Sequence, residues 1–170
     1  MPFAILSIKA FSPVGSDSQD AATARHKTAE KIGVEGSQAI VNIMLPKFFD
    51  PGLSADSPIV KFVKHIMVVT SSIGIIASLK GIASRSDFTD QLAKIDVPVL
   101  ILSGEMDQVI PVAKASEMAM KIPDSTLKII PDSGHLPMID NPEATTKAID
   151  DFLSTIDTSI DHSIYSSPAM

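Results

Sequence analysis

Two short strand-like runs, VPVLIL at 97–102 and TLKII at 126–130, constrain this chain more than any other feature. Each ends in a turn that contains glycine, S-G-E-M-D at 103–107 and D-S-G-H at 132–135. Between them Pro111 opens a helix in which Val112, Ala113, Ala115, Met118, Ala119 and Ile122 make one apolar stripe. The first run is apolar apart from Pro98, the pattern of a strand covered on both faces in a parallel sheet. Strand, helix and strand in this order form a βαβ unit. A further apolar run near the start, FAILSI at 3–8, is halted by Pro13 and Gly15 and reads as another buried strand. The fold class is therefore α/β, with a short parallel sheet of about three strands and flanking helices.

The segment between these regions reads as helical in four pieces. Residues 16 to 32 are polar, with Ala21, Ala22, Ala24 and Ala29 supplying helix propensity. Residues 37 to 49 are apolar and stop at Asp50-Pro51-Gly52. Asp56 or Ser57 caps a third helix with Pro58 in its first turn, and Ile59, Phe62, Val63, Ile66 and Met67 recur at helical spacing. The fourth piece, 72 to 84, is apolar but interrupted by Gly74 and Gly81. Near the end, Asn141 and Pro142 start a helix whose Ala148, Ile149, Phe152, Leu153 and Ile156 share one face, and the last residues read as a loose tail. The expected division is 1–15 for the first strand and its connection, 16–87 for a helical block, 88–156 for an α/β core, and 157–170 for the tail.

Composition narrows the function. The chain of 170 residues is 45% hydrophobic and 20% charged, a balance that supports a folded core. Its formal net charge of −6 comes without any cluster of Lys and Arg, so neither nucleic acid nor an anionic membrane is expected as a partner. The apolar region from 59 to 79 is broken by Lys61, Lys64 and His65 and by Thr70, Ser71 and Ser72, too soon for a membrane span of about 20 residues. The opening residues lack a basic leader and a small-residue cleavage site, and the expectation is a soluble, cytoplasmic protein. With no cysteine, disulfides, thiolate metal sites and a cysteine nucleophile are excluded.

Functional groups of open parallel sheets sit beyond the carboxyl ends of the strands, the positions of Asp107 and His135. Right-handed crossover makes consecutive parallel strands neighbours, so the two loops can meet. Asp107 would then orient the imidazole and stabilise its protonated form. Taken singly, Asp107 equally suits a turn that hydrogen-bonds to itself, and His135 an ordinary loop. Glu105 competes as the acid. His26 reads as solvated and His65 as partly buried, while Met44, Met67, Met118 and Met138 suit a core or an adaptable apolar pocket. Ser103 and Ser133 are explained by turn chemistry.

The pattern I-x-V-P-V-L-I-L-x-G-x-x-D-x-x-x-P, followed by a strand, S-G-H and N-P-E, closely resembles the C-terminal part of α/β-hydrolase-fold enzymes, most of all esterases and enol-lactonases. The resemblance covers about residues 3 to 153 and is specific after Arg85. It implies a partial α/β-hydrolase fold with residues 16–87 as a helical cap, Asp107 as the triad acid and His135 as the base. It implies hydrolysis of a small apolar carboxylic ester or lactone, and no cofactor or metal. Such enzymes carry their serine in G-x-S-x-G. No such motif is present here: Gly52-Leu53-Ser54-Ala55-Asp56 fails at its last position, and Gly15-Ser16 and Gly36-Ser37 fail too. Two readings stay open, the acid and base half of a hydrolase whose serine comes from elsewhere, or a catalytically inactive binding module of that fold. An open edge on the first strand implies self-association or completion by an N-terminal half.

Overall fold

The computed structural model describes residues 15–157 together with the strand Leu6–Ser7 (β1). The remainder of the FAILSI run and the expected tail from 158 onward lie outside the described residues.

Four helices come first: α1 (Gln19–Glu35), α2 (Gln38–Phe48), α3 (Pro58–Val69) and α4 (Ser72–Ala83). Local chemistry sets their ends. Ser18 caps α1 by accepting the Ala21 N–H at 3.2 Å, and Gly36 ends it at φ 74°, a conformation that suits glycine. The Asp50 carboxylate accepts the Gly52 N–H at 2.6 Å and turns the chain after α2. Ser57 caps α3 through the Val60 N–H at 3.3 Å, with Pro58 at the first helical position. The axes of α3 and α4 diverge by 91°, and no single helix among the described residues is long and apolar enough to cross a membrane. A buried Asp17 carboxylate pairs with Arg25 and, at 3.6 Å, with Arg85, whose Nε also donates to the Gly15 carbonyl at 3.0 Å. This cluster ties the entrance of α1 to the chain leaving α4.

A 3-10 helix (Thr89–Lys94) leads into β2 (Val99–Gly104), then α5 (Val112–Ala119), β3 (Ser125–Ile130), α6 (Pro137–Asp140) and α7 (Pro142–Asp157). The three strands are parallel in the order β1-β2-β3, with Leu6 beside Val99 and Gly104 beside Ile130. Val99, Leu100 and Ile101 are all buried, as a strand covered on both faces requires. One core joins Val99 and Ile101 to Leu92, Ala115, Met118 and Ile122; a second joins Phe49, Val60 and Val63 to Phe48, Leu136 and Ile139. The second core fastens α2 and α3 to the loop after β3.

The structure departs from the sequence reading in several places. The strand expected at 97–102 begins at Val99, because Pro98 has no N–H to donate, and its first ladder donor is the Val99 N–H to the Asp124 carbonyl at 2.9 Å. The apolar stripe of α5 outlasts the helix, since Ile122 is buried in the turn beyond it. Val60 and Val63 carry the packing of α3, whereas Phe62 and Ile66 are 57% and 45% exposed. His65, expected to be partly buried, is exposed on the same helix, and Met138 is exposed as well. The 3-10 helix and α6 had no expected counterpart; both are too short to show a helical period.

Candidate active site

The site is built where β2 and β3 end side by side. After Gly104 the chain turns away, and two bonds fasten this acid loop to the histidine loop: Glu105 N–H to the Ile130 carbonyl at 2.9 Å, and Met106 N–H to the Ser133 carbonyl at 2.8 Å. The loops touch so closely that a Cβ on Gly104 would lie 1.9 Å from the Gly134 carbonyl oxygen. On its other side Gly134 faces α2, where a Cβ would come within 2.5 Å of the Phe49 carbonyl carbon. Only glycine fits either position.

This approach brings Asp107 and His135 together. His135 Nδ1 and Asp107 Oδ2 are 2.9 Å apart, and each side chain is 5% exposed. A carboxylate only accepts, so the shared proton belongs to Nδ1, and the lone pair of this tautomer is on Nε2. The other carboxylate oxygen, Oδ1, accepts the N–H groups of Val109 and Ile110 at 2.8 and 2.9 Å. Asp107 thus bonds its own turn through one oxygen and meets the imidazole through the other. Burial pushes its carboxyl upward, but the His135 hydrogen bond, the Ile110 N–H, the His135 charge and the Val109 N–H together hold it below the usual carboxylate value.

Phe48, at the end of α2, stacks on the imidazole with ring centroids 5.7 Å apart and planes inclined by 25°. Its carbonyl accepts the Leu136 N–H at 3.2 Å. Neither Phe48 nor Asp140, which accepts the Gly134 N–H, was a sequence candidate. The available signals were a doubled Phe before the Asp50-Pro51-Gly52 stop and a single acid just before Asn141-Pro142. Glu105 is exposed, so the buried carboxylate against His135 is Asp107. Ser103 and Ser133 are buried, and the Ser133 hydroxyl donates to the Ile130 carbonyl at 2.8 Å, as turn chemistry implies. His26 is exposed. Of the four methionines, Met118 alone is buried.

A cleft of about 470 Å³ opens beside the pair, with Ile101, Ile110, Ala115 and Met118 among its apolar walls and Ser103 and Lys114 among its polar groups. Among the described residues, no group of three His, Asp or Glu side chains could hold a metal ion. The arrangement provides an oriented imidazole beside an ionised carboxylate and an apolar cleft, a set of groups suited to moving a proton to and from an oxygen.

Comparison with known proteins finds relatives of this chain. The 3-oxoadipate enol-lactonase 2 of Acinetobacter baylyi is 28% identical over 123 residues, which make up 72% of this chain and 45% of that protein. A thermophilic esterase from Thermogutta terrifontis, solved with malate bound, superposes with a TM-score of 0.79 at 31% identity, over 84% of this chain and 53% of the esterase. The enol-lactonase from Burkholderia xenovorans LB400 shares the fold with a TM-score of 0.73 at 24% identity, covering 84% of this chain and 53% of that one. The chain thus spans about half the length of the relatives it matches. Residues 36–142 match the alpha/beta hydrolase fold family, and with the parallel sheet and the two loops that end it, the chain belongs to that family.

Proposed function

We propose that this chain supplies the acid and base of a Ser-His-Asp hydrolase acting on a small apolar carboxylic ester or lactone. The observation that carries the reading is the buried 2.9 Å contact between His135 Nδ1 and Asp107 Oδ2. The esterase and enol-lactonase relatives support the substrate class. In the first half-reaction, His135 Nε2 takes the proton of a serine hydroxyl as its oxygen attacks the acyl carbon, and then gives that proton to the departing alkoxide. In the second, the imidazole takes a proton from water, hydroxide attacks the acyl-enzyme, and the proton returns to the serine. Asp107 stays ionised throughout and stabilises the imidazolium. Helices α1 to α4 serve as the cap over the reacting bond, with Phe48 as their contact to the imidazole.

The serine and its oxyanion hole come from polypeptide outside these 170 residues, because no G-x-S-x-G occurs within them. The test is fluorophosphonate labelling of the folded chain, alone and mixed with a polypeptide equivalent to the other half of its relatives. Labelling of the mixture at a serine of the added half, abolished by His135→Ala, is the expected result. A stable mixed complex that takes no label would overturn the reading.

The missing nucleophile favours a second reading, a binding module that uses the same cleft without catalysis. It expects ligand binding to survive His135→Ala, whereas the hydrolase reading expects labelling to disappear with that substitution.

A further inference from the structure

We infer that Asp140 is a positioning residue for His135, acting through the Gly134 peptide. The inference rests on His135 being the base of the pair described above. Asp140 Oδ2 accepts the Gly134 N–H at 2.7 Å and the Asp50 N–H at 3.3 Å. One carboxylate oxygen thus joins the Ser133–Gly134 peptide, one residue ahead of His135, to the chain that leaves α2. Hydrogen bonds to an ionised acceptor are roughly twice as strong as neutral ones, and the shorter of these two is at the short end of the N–H···O range.

The geometry gives that bond leverage. The Gly134 backbone is wedged between Gly104 and Phe49, where it touches both so closely that neither glycine could carry a Cβ. Within this slot the Asp140 carboxylate holds the amide of the Ser133–Gly134 peptide, and with Gly134 confined on both sides that anchor restricts the backbone from which the His135 side chain leaves. The same carboxylate reaches Asp50, two residues after Phe48, whose ring lies on the imidazole and whose carbonyl holds Leu136. Removing the charge loosens the Ser133–Gly134 peptide and the aromatic platform beneath the imidazole together. Asp107 holds the ring by its nitrogen; Asp140 holds the backbone that presents it.

The test uses the full 170-residue chain, labelled with nitrogen-15 and carbon-13, and reads the His135 Nδ1 proton by NMR. Asp107→Asn provides the signal of a weakened bond. In folded Asp140→Asn the Nδ1 proton is expected to move toward the Asp107→Asn position and to exchange with water at least about tenfold faster, with partial recovery in Asp140→Glu. A carboxylate that serves stability alone would lower the melting temperature and leave that proton where it is, and this outcome overturns the inference. Should Asp140→Asn not fold, acid titration of the unmodified chain decides. The His135 proton must then respond at the midpoint of the Asp140 carboxyl carbon; a proton that follows Asp107 alone overturns the positioning role. Absence of any Nδ1 proton signal bonded to Asp107 in the unmodified chain would overturn the reading of the pair itself, which keeps the two failures distinct.

Discussion

Gly104 and Gly134 determine how closely the acid loop and the histidine loop approach. A methyl group at either position would meet backbone, which cannot rotate away, so Gly104→Ala should cost more than about 4 kcal/mol, in the range reserved for gross backbone conflict. Urea denaturation measures this, and a loss below about 1 kcal/mol would contradict the close approach. Asp107 makes a different prediction. Its carboxyl is held below the ordinary value in the folded chain, so its contribution to stability is complete above the unfolded value of about 3.9 and is lost as pH falls through the lower folded value. Asp107→Asn should therefore flatten the dependence of unfolding free energy on pH in that acid window, as read from denaturation curves across it. Both Asp107 and His135 were legible in the sequence, because each follows a strand-like run and a glycine turn. Phe48 was not, because its contact joins the end of one helix to a distant loop and leaves no periodic trace; Asp140 was not, because α6 is a single turn too short to show which way its carboxylate faces.

Among the elements, α3 shows what helical periodicity can and cannot decide. Its spacing correctly announces a helix with one apolar side, yet the apolar residues are broad enough to leave two possible flanks. Tertiary packing chose Val60 and Val63, against Phe49, and left Phe62 and Ile66 to solvent. Val63→Ala should accordingly destabilise the chain by about 1–3 kcal/mol, while Phe62→Ser should stay within about 0.5 kcal/mol. Equal losses in thermal melts would show that the helix packs through its other flank. Two glycines in helix interiors offer the opposite test. A Cβ on Gly33 in α1 or Gly81 in α4 would meet nothing within 4 Å, so Gly33→Ala and Gly81→Ala should each raise stability by up to about 1 kcal/mol. The weak sequence signal of α4 has a physical source: Ile75, Ile76, Leu79 and Ile82 are half-buried on the side that packs on α1, but Gly74, Gly81 and the exposed Ile73 blur the stripe.

At the scale of the molecule, β1 pairs with β2 along one side, and no strand among the described residues pairs along its other side. An open edge beside apolar surface recruits further strands. Light scattering should therefore report species larger than a monomer, or the melt should lack cooperativity; a monomer with a cooperative, reversible melt would count against this. The parallel order of the strands was readable because a helix between two strand-like runs permits little else, whereas the cleft was not, since its walls come from segments far apart in the chain. Asp107 serves this whole assembly twice, through Oδ1 in the turn and through Oδ2 on the imidazole. A change at His135 would leave the two Oδ1 bonds of the turn in place, whereas a change at Asp107 would end both duties at once.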